Sequence, residues 1–212
     1  MRRGVTLLAL ATLLGAPVPP AAAQQPAGKP SPAQASPPDS FLVSFTTSRG
    51  RIVVAMHRDW APRGVDRVYQ LIRGGFYDQG RFFRVIPRFV AQFGLPADPR
   101  RSKPWKQPIP DDPVRQSNVH GTVTFATAGP NTRTTQLFIN LADNARLDAL
   151  GFAPIGRVTR GLPIADALNG QYGESPSQDA IEKEGNAYLN RTFPKLDYVV
   201  TARVIREWRP SP

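Results

Sequence analysis

Short apolar runs and runs of alternating apolar and polar residues predict a chain made mainly of β-strands. Two such runs flank the turn Ser48-Arg49-Gly50 and predict a hairpin in which glycine provides a positive φ angle. The predicted strands cover residues 41–47, 51–57, 82–86, 89–93, 121–127, 135–141, 153–159 and 195–206. Many short strands with few helices indicate an all-β barrel or sandwich that carries helical caps.

Three segments are predicted to be helices. The first has apolar residues at the one-sided i, i+3, i+4, i+7 spacing; we expect Asp59 to cap it and Pro62 to lie in its first turn. It should end at Gly74-Gly75, because glycine favours helix termination. The other two helices are predicted over residues 162–168 and 178–191.

The N-terminal part of the chain differs in composition from the rest. Residues 1–23 have a basic start, an apolar run and Ala21-Ala22-Ala23, which is the layout of a secretory signal peptide. An uncleaved anchor is the alternative, although the run is shorter than the roughly 20 residues of a membrane span. Residues 24–39 are predicted to be a disordered Pro/Ala-rich linker, residues 40–208 one domain and 209–212 a tail. We therefore expect an exported, periplasmic protein without stable membrane insertion after signal cleavage.

The formal net charge is +11 and the chain contains no cysteine. The missing thiols exclude disulfides, thiol nucleophiles and a lipid-modified cysteine. A basic chain suits nucleic acid or an anionic membrane surface, and this alternative stays open. However, the arginines are spread along the chain without the aromatic interleaving of single-strand binders, which favours a solvated surface and no nucleic-acid partner. Nothing in the sequence requires an oligomer, so a monomer is expected.

Several familiar catalytic arrangements are missing from the sequence. Neither His57 nor His120 has the spacing of metal ligands, and both are interpreted as packing or surface residues. A Gly-x-Ser-x-Gly elbow and a glycine-rich phosphate loop are absent. Asp111-Asp112 lies between prolines in the long loop 95–118 and is interpreted as part of a turn, while Trp105 is expected to pin that loop. No metal and no cofactor are predicted.

Polar residues interrupt two of the predicted strands. Strand alternation places Arg84 on the face opposite Phe83 and Val85, and it places Gln136 and Phe138 on one face. Burying polar groups is unfavourable unless something binds them, so these residues can form a lined pocket. The alternative is an arginine in a surface ion pair and a glutamine at a strand edge, and each residue taken singly favours it.

Two longer motifs resemble the signature of the cyclophilins, which are peptidyl-prolyl isomerases. Phe-x-Arg-Val-Ile-Pro-x-Phe-x-x-Gln covers residues 82–92, and Ala-x-Ala-Gly-Pro-Asn-Thr with Gln-x-Phe-Ile covers 126–139. Leu147-Asp148 and residues 155–158 match further landmarks, and Tyr172-Gly173-Glu174 resembles exported bacterial members. The resemblance implies a closed antiparallel eight-stranded barrel capped by two or more helices. It also implies a peptidylprolyl isomerase (EC 5.2.1.8) that acts on X–Pro bonds in unfolded or exposed segments of exported proteins.

The resemblance further implies roles for individual residues. Arg84 corresponds to the catalytic arginine, and Gln92 and Gln136 to side chains that bind the substrate backbone and help to hold it. Ala126 and Thr127 lie where the family contacts the peptide before the proline. The implied apolar pocket for the proline ring consists of Phe89, Val90, Phe138 and Leu147.

Three positions depart from the family pattern. Phe83 replaces a common histidine and is expected to alter packing rather than chemistry. Arg146 replaces a tryptophan that contacts the drug cyclosporin in many members, which predicts weak cyclosporin binding. The loop 149–152 is one residue longer than the common form, so the usual histidine contact there is either absent or replaced by Phe152. Arg146 and Phe152 are candidates for the pocket rim. These departures keep open a second hypothesis, a proline-peptide-binding module or chaperone with little turnover.

Overall fold

The computed structural model describes residues 37–209, which form an eight-stranded antiparallel sheet. Its strand order is β3-β4-β6-β5-β7-β2-β1-β8. The strands are β1 (Ser40–Thr47), β2 (Gly50–His57), β3 (Arg84–Ile86), β4 (Val90–Phe93), β5 (Thr122–Phe125), β6 (Leu137–Asn140), β7 (Pro154–Arg160) and β8 (Val199–Trp208). Each predicted strand overlaps an observed one, and the predicted hairpin is confirmed by the β1–β2 pairing. The predicted signal peptide, residues 24–36 of the linker and residues 210–212 of the tail lie outside the described residues.

The described chain contains four α-helices. They are α1 (Pro62–Arg73), α2 (Leu162–Asp166), α3 (Gln178–Glu184) and α4 (Asn186–Thr192). The main core lies between the sheet and α1, where the ring of Phe41 packs edge-on against Tyr69 with centroids 5.1 Å apart. Trp105 packs against this core at the end of the short 3-10 turn Pro99–Trp105, which confirms that it pins the long loop. None of the helices within residues 37–209 is long and apolar enough to cross a membrane.

The start of α1 is capped from a distant loop, and the prediction that Asp59 caps it is wrong. The N-cap residue is Ala61, which has no capping side chain. Instead, the carboxylate of Asp112 accepts hydrogen bonds from the backbone N–H groups of Arg63 (3.0 Å) and Gly64 (2.8 Å). A carboxylate at this end of a helix satisfies unpaired N–H groups and complements the helix dipole.

The sheet is curled but open, so the predicted closed barrel is not seen. Within residues 37–209 no ladder joins the edge strands β3 and β8. The segments just before these strands meet in a single bridge between Arg81 and Tyr198, next to a hydrogen bond of 2.9 Å from Phe82 N–H to the Asp197 carbonyl. Because β3 has only three residues and begins after this bridge, the contact does not extend into paired strands.

The predicted helix 178–191 is interrupted by Gly185, which separates α3 from α4. Gly185 has φ +60°, and a side chain there would collide with the Ala97 carbonyl. The two helices belong to a segment that we call the C-terminal cap, residues 169–197. Its side chains surround a second apolar cluster formed by Phe83, Leu95, Ile181, Leu189 and Leu196. The cap therefore packs against the chain next to β3.

Candidate active site

The register of three strands places Arg84, Gln92 and Phe138 in one row across the sheet. Arg84 pairs with Gln92 between β3 and β4, and Gln92 pairs with Phe138 between β4 and β6. Directly opposed residues of antiparallel strands point to the same face. Phe83 and Val85 are both buried on the other side of the strand, as the alternation predicted. The row thus brings together residues that are distant in the sequence.

A chain of side-chain hydrogen bonds holds the guanidinium group of Arg84. Its Nη1 donates to Oε1 of Gln92 at 3.4 Å, and Nε2 of Gln92 donates to Oε1 of Gln136 at 2.8 Å. From another side, Nε of Arg84 donates to Oε1 of Glu174 at 2.6 Å. The Arg84 side chain is 24% exposed, whereas Gln92 is 7% exposed. The arginine therefore reaches the surface from a largely buried polar support.

An apolar pocket of about 320 Å³ lies beside this arginine. Its buried part consists of Val90, Phe138 and Leu147. The ring of Phe152 contacts Phe138 at a centroid distance of 5.8 Å and an angle of 65°. Such a volume is at the small end of ligand pockets and is lined in the usual way by apolar groups with a few polar ones.

Most of the predicted site residues line this one pocket. The residues concerned are Arg84, Phe89, Val90, Gln92, Ala126, Thr127, Phe138, Leu147 and Phe152. Gln136 lies one residue before β6 and contacts the pocket through Gln92; it also lines a neighbouring cavity of about 200 Å³. Arg146 is placed on the outer side, where its guanidinium carbon lies 4.7 Å from the centroid of the Phe89 ring. The location of these residues agrees with the prediction, while their roles remain predictions.

Leu147 is presented by the 3-10 turn Ala145–Leu150, which Asp148 anchors. The Asp148 carboxylate accepts hydrogen bonds from Ser117 Oγ (2.6 Å), Asn118 N–H (2.9 Å) and Asn118 Nδ2 (2.7 Å). Burial raises the pKa of Asp148, but these hydrogen bonds outweigh that effect and hold its pKa below the ordinary value of 3.8. The sequence motif Leu147-Asp148 thus combines a pocket residue with its anchor.

The loop that carries Thr127 is tied to the interior by a buried ion pair. Arg133 is 3% exposed, and its Nη1 and Nη2 each lie 3.1 Å from Oδ2 of Asp112, the residue that caps α1. Asp111 adds a contact of 3.0 Å to Nε of Arg133 and accepts a hydrogen bond from Asn131 N–H at 2.7 Å. The interpretation of Asp111-Asp112 as turn residues was incomplete, because the pair links α1 to the pocket loop. Arg133 was not identified from the sequence.

Two further residues near the pocket were also missed. Gln178, at the start of α3, lines the pocket. Glu174 contacts Arg84 directly, although in the sequence it stands out only as part of the motif Tyr172-Gly173-Glu174. Local spacing indicates a pocket role for neither, because the fold of the C-terminal cap brings Gln178 to the pocket and Glu174 to Arg84. Phe83, expected to affect packing, is buried in the second apolar cluster with Ile181 and Leu189 of that cap.

The two histidines lie apart from the pocket lining. His57 stacks on Trp60 with ring centroids 4.4 Å apart, and burial lowers the pKa of its imidazole. His120 Nε2 lies 2.8 Å from Oδ1 of Asp166. Over residues 37–209, no group of three or more histidine or acidic side chains is arranged to hold a metal ion.

Comparison with known proteins decides the family. The family described as "Cyclophilin type peptidyl-prolyl cis-trans isomerase/CLD" matches residues 42–186. The chain belongs to this family. The matched range contains every predicted site residue, from Arg84 to Phe152.

Named relatives agree with this cyclophilin assignment. Peptidyl-prolyl cis-trans isomerase A of Dickeya dadantii is 34% identical over 157 residues, which cover 67% of this chain and 82% of the relative. Peptidyl-prolyl cis-trans isomerase B of Escherichia coli is 28% identical over 175 residues, covering 78% and 100% of the two chains. The names of these relatives confirm the predicted enzyme class, EC 5.2.1.8.

Solved cyclophilin structures share the fold. The crystal structure of cyclophilin AquaCyp293 from Hirschia baltica has a TM-score of 0.60 and 19% identity, and the match covers 82% of this chain and 77% of that one. A cyclophilin-type isomerase of Cryptosporidium parvum matches with a TM-score of 0.59 and 16% identity, over 82% and 99% of the two chains. At these identities the likeness concerns the cyclophilin fold alone.

Proposed function

We propose that this cyclophilin is an exported isomerase in which Arg84 donates a hydrogen bond to the nitrogen of a substrate proline. The observation that carries the proposal is the position of the Arg84 guanidinium, which Gln92 and Glu174 hold beside an apolar pocket. The pocket binds the proline ring between Val90, Phe138 and Leu147. Gln92 and Gln136 bind the substrate backbone, and Ala126 and Thr127 contact the residues before the proline.

The chemistry of the X–Pro bond explains how a single arginine can lower the barrier to its rotation. Rotation about a peptide bond has a barrier of about 18–20 kcal/mol, because conjugation gives the C–N bond partial double-bond character. Conjugation is lost in the twisted transition state, and the proline nitrogen gains a localised lone pair. A donor that binds this lone pair stabilises the transition state more than the planar ground state, which lowers the barrier.

Arginine suits this task for two physical reasons. The guanidinium group stays charged at any relevant pH, and its five N–H donors have fixed directions. The hydrogen bond needs no proton transfer and forms no covalent intermediate. A hydrogen bond to a charged group is worth about 1.5–3 kcal/mol. This range corresponds to about tenfold to 150-fold in rate.

A peptide isomerisation assay tests the proposal. We expect Arg84→Ala to lower kcat/KM by about tenfold to 150-fold. The matched control is Arg51→Ala, which removes an exposed arginine of β2 outside the pocket and should leave kcat/KM unchanged. Equal activity of Arg84→Ala and the wild type would refute the arginine mechanism. Wild-type activity near the uncatalysed rate, with intact binding of proline peptides, would favour the binding module or chaperone instead.

The proposed clients are X–Pro bonds in unfolded or exposed segments of other exported proteins. Uncatalysed X–Pro isomerisation takes tens to hundreds of seconds, which is slow enough to limit folding. The signal-peptide pattern of residues 1–23 supports export to the periplasm. Mass determination of the protein from a fractionated native host tests this part: we expect a periplasmic product that begins near Gln24. A cytoplasmic product that retains the leader would contradict it.

A further inference from the structure

Glu174 makes the shortest described hydrogen bond to Arg84, and it lies in the C-terminal cap, far in the chain from Gln92 and Gln136. Its Oε1 accepts from Nε of Arg84 at 2.6 Å and also contacts Nη2. Glu174 itself is 62% exposed, whereas Arg84 is 24% exposed. The carboxylate therefore reaches the arginine from the solvent side, while Gln92 contacts it from within the sheet.

Hydrogen bonds and ring packing within the C-terminal cap hold the turn that carries Glu174. Gly173 has φ +52°, a conformation that favours glycine, and its N–H donates to the Gly170 carbonyl at 3.1 Å. The N–H of Ser175 donates to the Tyr172 carbonyl at 2.9 Å. The ring of Tyr172 packs against Phe193 with centroids 5.1 Å apart. The backbone next to Glu174 is thus held on both sides.

The same cap also contacts the residue before Arg84. Phe83 is buried in the apolar cluster that includes Ile181 and Leu189, on the face of the strand opposite Arg84. The cap therefore fixes the backbone through Phe83 and the guanidinium through Glu174. Two independent contacts from one segment, on opposite faces of one strand, converge on the position of Arg84.

We propose that Glu174 is a positioning residue that orients the Arg84 guanidinium for the proline nitrogen; this inference rests on the proposed arginine mechanism. A guanidinium group has five N–H donors. Glu174 binds one on Nε and one on Nη2, and Gln92 binds one on Nη1. One donor on Nη1 and one on Nη2 are left for the substrate. Glu174 thus restricts the rotation of the group without occupying all of its donors.

The size of the effect follows from the exposure of the pair. An exposed ion pair is worth up to about 1 kcal/mol, which is about fivefold, whereas misplacement of a catalytic group by about 1 Å can cost about 100-fold. We expect Glu174→Ala to lower kcat/KM by about three- to tenfold, towards the lower of these limits. The loss should lie in kcat rather than KM, because the apolar pocket that binds the ring is unchanged.

The experiment compares Glu174→Ala with a matched control in the full chain. The control is Glu184→Ala, which removes another exposed acid of the cap that pairs with Arg191 at 2.9 Å and does not contact Arg84. We expect the control to keep wild-type kcat and KM. Glu174→Gln, which retains an acceptor oxygen without the charge, should fall between Glu174→Ala and the wild type. In Glu174→Ala, the Nε–H of Arg84 should exchange with solvent faster in 15N NMR, because its acceptor is gone.

A double-mutant cycle with Arg84→Ala separates the outcomes. If Glu174 acts through Arg84, adding Glu174→Ala to Arg84→Ala has no further effect on kcat/KM. Unchanged or increased activity of Glu174→Ala would overturn the inference, and an increase would show that the carboxylate competes with the substrate. An equal loss in the Arg84→Ala background would also overturn it, since the role would then be structural. Full activity of Arg84→Ala would instead refute the proposed function itself.

Discussion

Replacing Asp112 with alanine should destabilise the domain strongly, because one carboxylate holds two parts of the molecule. Its two oxygens accept hydrogen bonds from the first turn of α1, at Arg63 and Gly64, and Oδ2 also lies 3.1 Å from both terminal nitrogens of Arg133. Asp112 is 4% exposed and Arg133 is 3% exposed. The substitution therefore leaves two helix N–H groups and a buried guanidinium without their main acceptor.

The magnitude can be worked out from these contacts. Loss of a helix cap costs about 0.5–2 kcal/mol. Removing one partner of a buried ion pair costs about 3–5 kcal/mol. Asp111 stays 3.0 Å from Nε of Arg133 and compensates in part, so we expect a total near the lower limits, about 4 kcal/mol. For a domain of this size, about 4 kcal/mol corresponds to a decrease in Tm of roughly 8–16 °C.

Urea denaturation followed by circular dichroism measures this free energy of unfolding. The control is Asp111→Ala, because Asp111 is 33% exposed and shares only the Nε contact with Arg133. We expect it to cost about 1 kcal/mol, because Asp111 is partly exposed and Asp112 still pairs with the buried guanidinium of Arg133. The reasoning would be refuted if Asp112→Ala unfolded within about 1 kcal/mol of the wild type, or if Asp111→Ala cost more than Asp112→Ala.

Three further predictions concern pH and ligand binding. Because hydrogen bonds lower the pKa of Asp148, its stabilising contribution is present at neutral pH and is lost as the pH falls through its folded-state pKa; urea titrations should show Asp148→Ala costing less at acidic pH, and an equal cost would contradict this. Burial lowers the pKa of His57 from 6.5, so the free energy of unfolding should fall as the pH drops below about 6.5. His57→Gln should weaken this pH dependence in thermal unfolding. An unchanged pH dependence would show that His57 does not cause it. Arg146 lies over the ring of Phe89, and we expect weak cyclosporin binding that Arg146→Trp strengthens about tenfold or more in a fluorescence titration; tight binding by the wild type would show the inference to be wrong.

The sequence predicted those features that depend on local spacing. Strand alternation placed Phe83 and Arg84 on opposite faces, and the structure buries the first and leaves the second partly exposed. The row of Arg84, Gln92 and Phe138 needed more than periodicity, since no single strand contains it. It was found because the run of residue identities resembled a known family.

Contacts between distant segments could not be predicted from spacing. Asp59 stands just before α1 and looked like its cap, but Asp112, 48 residues after Gly64, supplies the acceptor. The sheet stays open at its edge because β3 is short. The apolar run starting at Phe82 predicted a longer strand than the observed Arg84–Ile86. Gly185 fits a helical pattern in the sequence, yet the approach of the Ala97 carbonyl interrupts the helix there. Each case depends on a partner far away in the chain.

The C-terminal cap explains two features together: phenylalanine at position 83 and the contact of Glu174 with Arg84. A histidine at position 83 would lie in the apolar cluster with Ile181 and Leu189, where burial disfavours its charged form and its ring nitrogens need partners. Phenylalanine fits this environment without a polar partner. Since the cap that surrounds Phe83 also brings Glu174 to Arg84, the departure at position 83 and the extra carboxylate have one structural origin. Phe83, one of the departures that favoured a binding module, is therefore explained by the packing of the cap. The hydrogen bonds that link Arg84 to Gln92 and Gln92 to Gln136 are intact.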